Sequence, residues 1–461
     1  MNSTWHKNIK NWKFPVLKFD TQTPILIIGG GLTGLLCAYE LQKSNRPFIL
    51  VDAKNLAHGA TLGTTAQISI AHDDIYLKIK KNHGIKNAHN YLNDQIDGLN
   101  HLKQIIREEN INCDYHEESS VIGTNQEKHF QTLEDLYEII HPKFNLLKDK
   151  NISPLNFSKS LEFPKQAIIN PIKYLNGIIQ ILKNKGAEIY EHSSVTKIKK
   201  INNEYEVMIN DQFKINTNKI ILACGYPFML QNLPFVKMYQ STSYAMAFKT
   251  KTKLRANFIS LDPPYYYLRT YNRNTLIIGG SDHFTGANSN IEQCYKLLKE
   301  QIYQIDKDAV ITHHWFAEDV MPINALPFVG SYSKKHQNII MINGFQKWGF
   351  TNAHFVSLKI TKLLEESYNP SKLCLIKKCP SYLRMVVHSV NGLLISRLLM
   401  RSGELKDLKI DSGTAIRYQS QNILAYRANK NEYYLFKNKC THMGCTLIWN
   451  NVDKVWISSC H

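Results

Sequence analysis

The segment Pro24-Ile-Leu-Ile-Ile-Gly29-Gly-Gly31-Leu-Thr-Gly34 constrains this chain more than any other. Ile25 to Ile28 form a short unbroken apolar run, the pattern of a strand buried on both faces. The spaced glycines open a helical stretch whose apolar positions include Leu35, Leu36, Ala38, Tyr39 and Leu41. A second apolar run, Phe48 to Val51, ends at Asp52. Each part has a physical task. Gly29 permits the tight turn, Gly31 lets a pyrophosphate approach the backbone, and Gly34 lets helix pack closely on sheet. The helix N-terminus offers unpaired N–H groups and the positive end of its dipole. Asp52 can accept hydrogen bonds from ribose hydroxyls and argues against a 2′-phosphate there. The spacing therefore predicts a strand–turn–helix–strand unit that binds a dinucleotide. Asp52 alone leaves FAD and NAD both open.

The next stretch decides for FAD. Asn55 to Ile70, NLAHGATLGTTAQISI, is rich in Gly, Ala and Thr directly after the second strand. Small residues there admit a bulky ligand close to the backbone, and hydroxyls can bind its phosphates. Residues 186–200 read as strand, turn and strand, and 219–228 (KIILACGYPF) as an apolar strand entering a glycine turn.

With these pieces in place the chain resembles the FAD-dependent oxidoreductases of the D-amino-acid oxidase and glycine oxidase type. It is most similar to the bacterial branch that carries a C-terminal Rieske [2Fe–2S] domain. Beyond GGGLTG and GATLGTTAQIS, the likeness is carried by LIIGGSDHFTG (276–286), HHWFAEDVMPINALPFVG (313–330) and INGFQKWGFTN (342–352). It implies that Gly29, Gly31, Gly34 and Asp52 hold the ADP half of FAD. Thr64, Thr65, Ala66 and Gln67 would run past the pyrophosphate and ring, and Val195 would meet the adenine through its backbone. Gly344, Phe345, Trp348, Gly349 and Thr351 would close over the ribityl chain and the pyrimidine end of the flavin. A helix beginning near Gly349 would suit the negative charge of reduced flavin. Phe345 and Trp348 would serve equally well as an aromatic corner of the core.

For the substrate, the Tyr-rich stretch SLDPPYYYLRTYNRN offers Tyr267 and Arg269, with Arg269 placed to hold a carboxylate by a bidentate pair. The same arginine would also fit a solvated edge strand. His283 and Asp319 belong to the branch pattern, and Asp319 also suits a turn cap. The sequence shows no triad or carboxylate dyad. None is needed if a neutral amine gives hydride directly to flavin N5, because such chemistry depends on positioning.

The C-terminus departs from the family. Cys440-Thr-His442-Met-Gly-Cys445 matches the first Rieske loop, in which one Cys and one His bind the cluster. The resemblance places Cys460 as the disulfide partner of Cys445 and His461 as the second imidazole ligand. Ser458 stands where the second ligand Cys belongs, and a hydroxyl is a poor iron ligand. Cys440, His442 and His461 are thus the candidate metal ligands. With the sequence ending at His461, no intact [2Fe–2S] cluster is expected.

Composition sets the remaining limits. A chain of 461 residues, 43% hydrophobic and 20% charged, is too long for one core and excludes disorder, collagen and coiled coil. Nine cysteines, six of them dispersed and three (Cys440, Cys445 and Cys460) crowded into the last 22 positions, do not make a disulfide scaffold. The net charge of +18 comes from scattered residues rather than a tract, so a nucleic-acid partner is not expected. No segment reaches the roughly 18 uncharged apolar residues of a membrane span, and the N-terminus has no apolar signal core. A cytoplasmic protein is expected.

The predicted fold class is α/β: a doubly wound, Rossmann-like FAD domain with an interleaved antiparallel substrate sheet, plus an incomplete all-β Rieske-like module. The predicted boundaries are a lead at 1–23, the oxidoreductase at 24–370 with 71–180 mainly helical, a connector at 371–402 and the module at 403–461. The expected activity is oxidation of a C–N bond in a small amine or amino acid, with electrons passing to oxygen or another acceptor. The alternatives are a degenerate flavoprotein with a binding role and a flavoenzyme acting on an RNA-borne amine.

Overall fold

The computed structural model describes residues 3–148, 155, 157–225, 238–286, 290–365, 405–418, 421–439 and 445–458. Thr21–Ile28, the strand before the glycines, lies inside the first sheet. It pairs in parallel with Phe213–Leu222 on one side and Ile49–Val51 on the other. The parallel series extends to Glu188–Tyr190 at one edge and Ile339–Asn343 at the other. Burial on both faces explains the continuous apolar sequences of these strands: Leu26, Ile27, Leu50 and Ile221 are wholly inaccessible. The helix Leu32–Lys43 packs on this sheet and starts at Gly31. The predicted strand–turn–helix–strand unit is present, as are the strands expected around 188–200.

A second, nine-stranded sheet stands beside the first. Its long strands Met238–Lys249, Thr275–Phe284 and Val310–Pro322 run antiparallel, and their register sets Ser241 opposite Asp319 and Tyr244 opposite Gly280. The stretch 71–180 was expected to be mainly helical. It does supply the helices Ile85–Glu108, Phe130–Ile140 and Pro171–Asn184, but it also sends two long strands into this sheet, His116–Thr124 and Lys159–Ile168, and the short strand Leu147–Lys148. Both long strands were hidden by composition. HEESSVIGT opens with weak strand formers, and a proline interrupts KSLEFPKQAI.

The N-terminal lead is built into the body. Trp5 is fully buried and donates its indole N–H to the Thr64 carbonyl at 2.8 Å, and Trp12 donates to Asn176 Oδ1 at 2.9 Å.

In the C-terminal region the strands Ser412–Tyr418, Gln421–Asn429 and Glu432–Lys437 form one small sheet, and Leu447–Asn450 with Val455–Ser458 forms a hairpin. The hairpin docks on the oxidoreductase: Ile457 joins the apolar cluster of Tyr244 and Tyr295, and the Tyr295 hydroxyl donates to Asp453 at 2.9 Å. Cys445 is buried and disulfide-bonded to a partner outside the described residues. The candidate ligands Cys440, His442 and His461 also lie outside the described residues, as does Cys460. Among the described residues no helix is long and apolar enough to cross a membrane.

Candidate active site

One continuous cavity of about 700 Å³ runs from the glycine turn to the face of the second sheet. Gly29, Gly31, Asp52, Thr64, Thr65, Gln67, Val195, Phe345, Trp348, Gly349 and Tyr267 all line it. The three spaced glycines divide the work as their positions suggest. Gly29 has φ +108°, and a Cβ there would sit 2.8 Å from the Ala223 carbonyl oxygen. A Cβ on Gly34 would lie 1.8 Å from the Gly29 carbonyl oxygen, so Gly34 serves the contact between turn and helix and does not reach the cavity. A Cβ on Gly31 would meet only Thr61 Oγ1, at 3.7 Å. The space before this helix N-terminus is open, as an incoming diphosphate requires.

Asp52 shapes the same end. Its Oδ2 accepts from the Gly30 N–H at 2.6 Å and its Oδ1 from the Lys54 N–H at 2.7 Å. Burial pushes this carboxyl above its ordinary value, and the two N–H groups oppose the rise. Val195 borders the cavity at the start of the strand Val195–Ile201.

At the other end, the helix Gly349–Leu358 points its N-terminus at the cavity from Trp348. The Trp348 ring stacks on His72, with centroids 4.4 Å apart, and meets the edge of Tyr267. Its indole N–H has no partner, and neither does the amide oxygen of Gln67. An unpaired buried donor and an unpaired buried acceptor on one cavity wall are costly unless a ligand completes them. Together with the glycine cradle and the two helix N-termini, they fit an elongated, polar-edged group such as FAD. Gly344, Ala66 and Thr351 sit behind the wall rather than on it. Gly344 turns the chain at φ +77°, Ala66 is buried, and Thr351 Oγ1 meets His72 Nε2 at 3.3 Å.

Arg269 is not at the cavity, which corrects its expected role as a substrate ligand. It is 2% exposed, and its Nε and Nη1 are held by backbone carbonyls: Nη1 by Thr65 (2.9 Å), Ala66 (2.5 Å) and Ile169 (3.1 Å), and Nε by Thr270 (2.8 Å). The guanidinium also lies over the Trp5 ring, 5.7 Å from its centroid. Tyr267 and Arg269 stand two apart on the strand Tyr267–Asn272, where alternation alone would give them one face; the carbonyls of Thr65, Ala66 and Ile169 hold the guanidinium away from the cavity. Tyr267 reaches the cavity and donates its hydroxyl to Asp73 Oδ2 at 3.2 Å.

Carboxylates do gather here, contrary to the sequence reading. Glu318 and Asp319 line the cavity from Val310–Pro322, and Asp73 and Asp282 flank the same end. Lys347 lies 2.9 Å from Asp282. It is presented by two consecutive left-handed residues, Gln346 (φ +52°) and Lys347 itself (φ +73°), a strain of about 1–2 kcal/mol per residue. Burial pushes Asp73 and Glu318 up to about 7 and Asp319 up to about 6, with Lys347 opposing the rise at the two aspartates. Sequence reading missed Asp73, Glu318 and Lys347. The one visible signal was Glu318-Asp319 inside the strand Val310–Pro322, after the apolar run Trp315–Ala317, where propensity disfavours both.

Comparison with known proteins accounts for this architecture. The sequence model of the DAO family, described as FAD dependent oxidoreductase, matches residues 24–363, and that of the Rieske [2Fe–2S] domain matches residues 399–461. The putative Rieske 2Fe-2S iron-sulfur protein YhfW of Bacillus subtilis is 29% identical over 99% of this chain and 92% of its own length. A D-amino acid dehydrogenase of Helicobacter pylori is 23% identical over 75% of this chain and 95% of its own. Among solved structures, glycine oxidase from Geobacillus kaustophilus superimposes with a TM-score of 0.64 at 12% identity, covering 78% of this chain and 99% of that one, and so shares the fold. The glycine cradle, the paired sheets and the matched 24–363 segment agree: the chain belongs to the DAO family of FAD-dependent oxidoreductases and carries a Rieske domain at its C-terminus.

Proposed function

We propose that this flavoenzyme oxidises the carbon–nitrogen bond of a small amine or amino acid. The observation that carries the reading is the single cavity joining a dinucleotide cradle to a half-buried, ionisable wall at the second sheet. FAD, when bound, supplies the two-electron acceptor that this chain's side chains lack. The residues then have distinct tasks. Gly29, Gly31, Asp52 and Val195 would hold the adenosine diphosphate portion, and Thr64, Thr65, Gln67, Phe345, Trp348 and Gly349 the remainder. Tyr267 and Trp348 form an aromatic wall that excludes water and orients the reacting carbon. The substrate nitrogen has to lose its ammonium proton before a C=N bond can form. Glu318 and Asp319, both on the cavity and both held near neutrality, are suited to take that proton.

The test is turnover of an amine and amino-acid panel with a dye acceptor, scored by carbonyl product and ammonia. Deuterium at the α-carbon is expected to slow flavin reduction severalfold. For the neutral-base step, kcat/KM is expected to rise as pH increases through about 6–7 and to lose that inflection in Glu318→Gln. Turnover without carbonyl product, or with no isotope effect on reduction, would remove the C–N reading.

A further inference from the structure

Trp348 is delivered to the cavity wall by two left-handed residues, Gln346 and Lys347, conformations that persist only where the surroundings fix them. Behind its ring lies His72, which is fully buried and does not itself line the cavity. The two rings are 18° from parallel, and Tyr76 is stacked with the same imidazole at 6.0 Å and 21°.

The hydrogen bonds of this imidazole can run in one direction only. Nε2 lies 2.7 Å from the Ser69 carbonyl oxygen, which only accepts, so Nε2 carries the proton. Burial pushes the imidazole down to about 3, so the ring is neutral and Nδ1 is an acceptor. Tyr91 therefore donates its hydroxyl to Nδ1 at 3.0 Å. The same hydroxyl accepts from Asn352 Nδ2 at 3.4 Å, and that amide also donates to the Trp348 carbonyl at 2.9 Å. Gln95 Nε2 in turn orients Asn352 by donating to its Oδ1 at 3.0 Å. Tyr91, Gln95 and Asn352 are all buried. Trp348 is thus held twice, at its backbone by Asn352 and at its ring by His72.

We propose that His72 is a positioning residue for the flavin: its imidazole, fixed by Ser69 and Tyr91, sets the plane of Trp348 so that the indole N–H meets FAD. This rests on the proposed placement of FAD against that unpaired N–H and is independent of the substrate. A donor held in place beforehand loses no freedom when it binds. Hydrogen bonds to charged groups are the stronger ones, so a fixed N–H favours the negative charge that flavin gains on reduction.

The experiment compares the FAD-loaded protein with His72→Leu, Tyr91→Phe and Trp348→Phe. The midpoint potential of the bound flavin is read against a reference dye, FAD affinity from flavin fluorescence, and Tm in parallel. His72→Leu removes the flat ring behind the indole. Reduction is expected to become about tenfold less favourable, a fall of about 30 mV for a two-electron couple. Tyr91→Phe keeps the packing and removes only the donor to Nδ1, so it is expected to shift the potential the same way by about threefold. It carries the test if His72→Leu does not fold. Residues that only fill the core would lower Tm and FAD loading and leave the potential of the remaining bound flavin unchanged. That result in His72→Leu and Tyr91→Phe, with a shifted potential in Trp348→Phe, overturns the role of His72 and leaves Trp348 against FAD. An unmoved potential in Trp348→Phe overturns both.

Discussion

Replacing Arg269 by Met separates two accounts of this residue. In the structure its guanidinium reaches four backbone carbonyls and the Trp5 ring, and its charge faces Glu118. Methionine preserves much of the length and removes every donor. Each buried carbonyl left without a partner costs about 1–3 kcal/mol, although three of them share one nitrogen, so the losses do not add in full. Removing one side of a buried charged arrangement costs about 3–5 kcal/mol in total, a large part of the roughly 5–15 kcal/mol that keeps a protein folded. At about 2 °C per kcal/mol, the lower end expected for large domains, Tm should fall by about 6–10 °C. The released segment Thr64–Gln67 is also part of the cavity wall, and Ala66 there holds φ +55°. FAD content should therefore fall with stability. Differential scanning fluorimetry and the flavin-to-protein absorbance ratio measure the two effects. A variant with unchanged Tm and full flavin, whose only defect is a raised KM for amino acids, would refute this account and return Arg269 to the substrate.

Other perturbations follow from the same geometry. Gly31→Ala has room for its methyl group and is expected to fold with near-normal stability but to lose FAD at least tenfold in affinity. Gly34→Ala collides with Gly29 and is expected to lose Tm as well, so flavin content and Tm together distinguish them. Glu318 is pushed up to about 7 by burial, so the folded state holds its proton more tightly than the unfolded chain does. Its contribution is intact below about pH 4 and is lost as pH rises to about 7. Glu318→Gln is therefore expected to raise Tm at about pH 8 and leave it unchanged at about pH 4, and the opposite pattern would remove burial as the cause. Ser458→Cys restores a thiolate ligand type and is expected to raise iron and acid-labile sulfide severalfold. Unchanged iron would show that this position does not limit cluster assembly.

The cofactor cradle was legible in the sequence because backbone geometry determines it. Only glycine fits where a Cβ would strike a carbonyl, and an acidic strand end marks the place beside it. The fold class followed, since a strand buried on both faces leaves an unbroken apolar run. The substrate wall was not legible in the same way. Arg269 and Tyr267 lie two positions apart, yet one is pinned behind the wall and the other faces the cavity, through twist and local hydrogen bonding that composition does not reveal. Asp73, Glu318 and Lys347 come from three distant stretches and meet only through the register of the second sheet and a left-handed turn. The role of the lead was hidden for the same reason: a tryptophan at position 5 carries no sign that its N–H will fix Thr64.

Anaerobic titration of the purified, flavin-loaded protein with the amine panel, followed in the visible spectrum, shows whether FAD bound in this cavity is reduced by an amine. Full loss of the oxidised-flavin absorbance with at least one amine, and its absence in Gly31→Ala, is the result predicted. Flavin that a chemical reductant bleaches but every amine leaves oxidised would contradict the account.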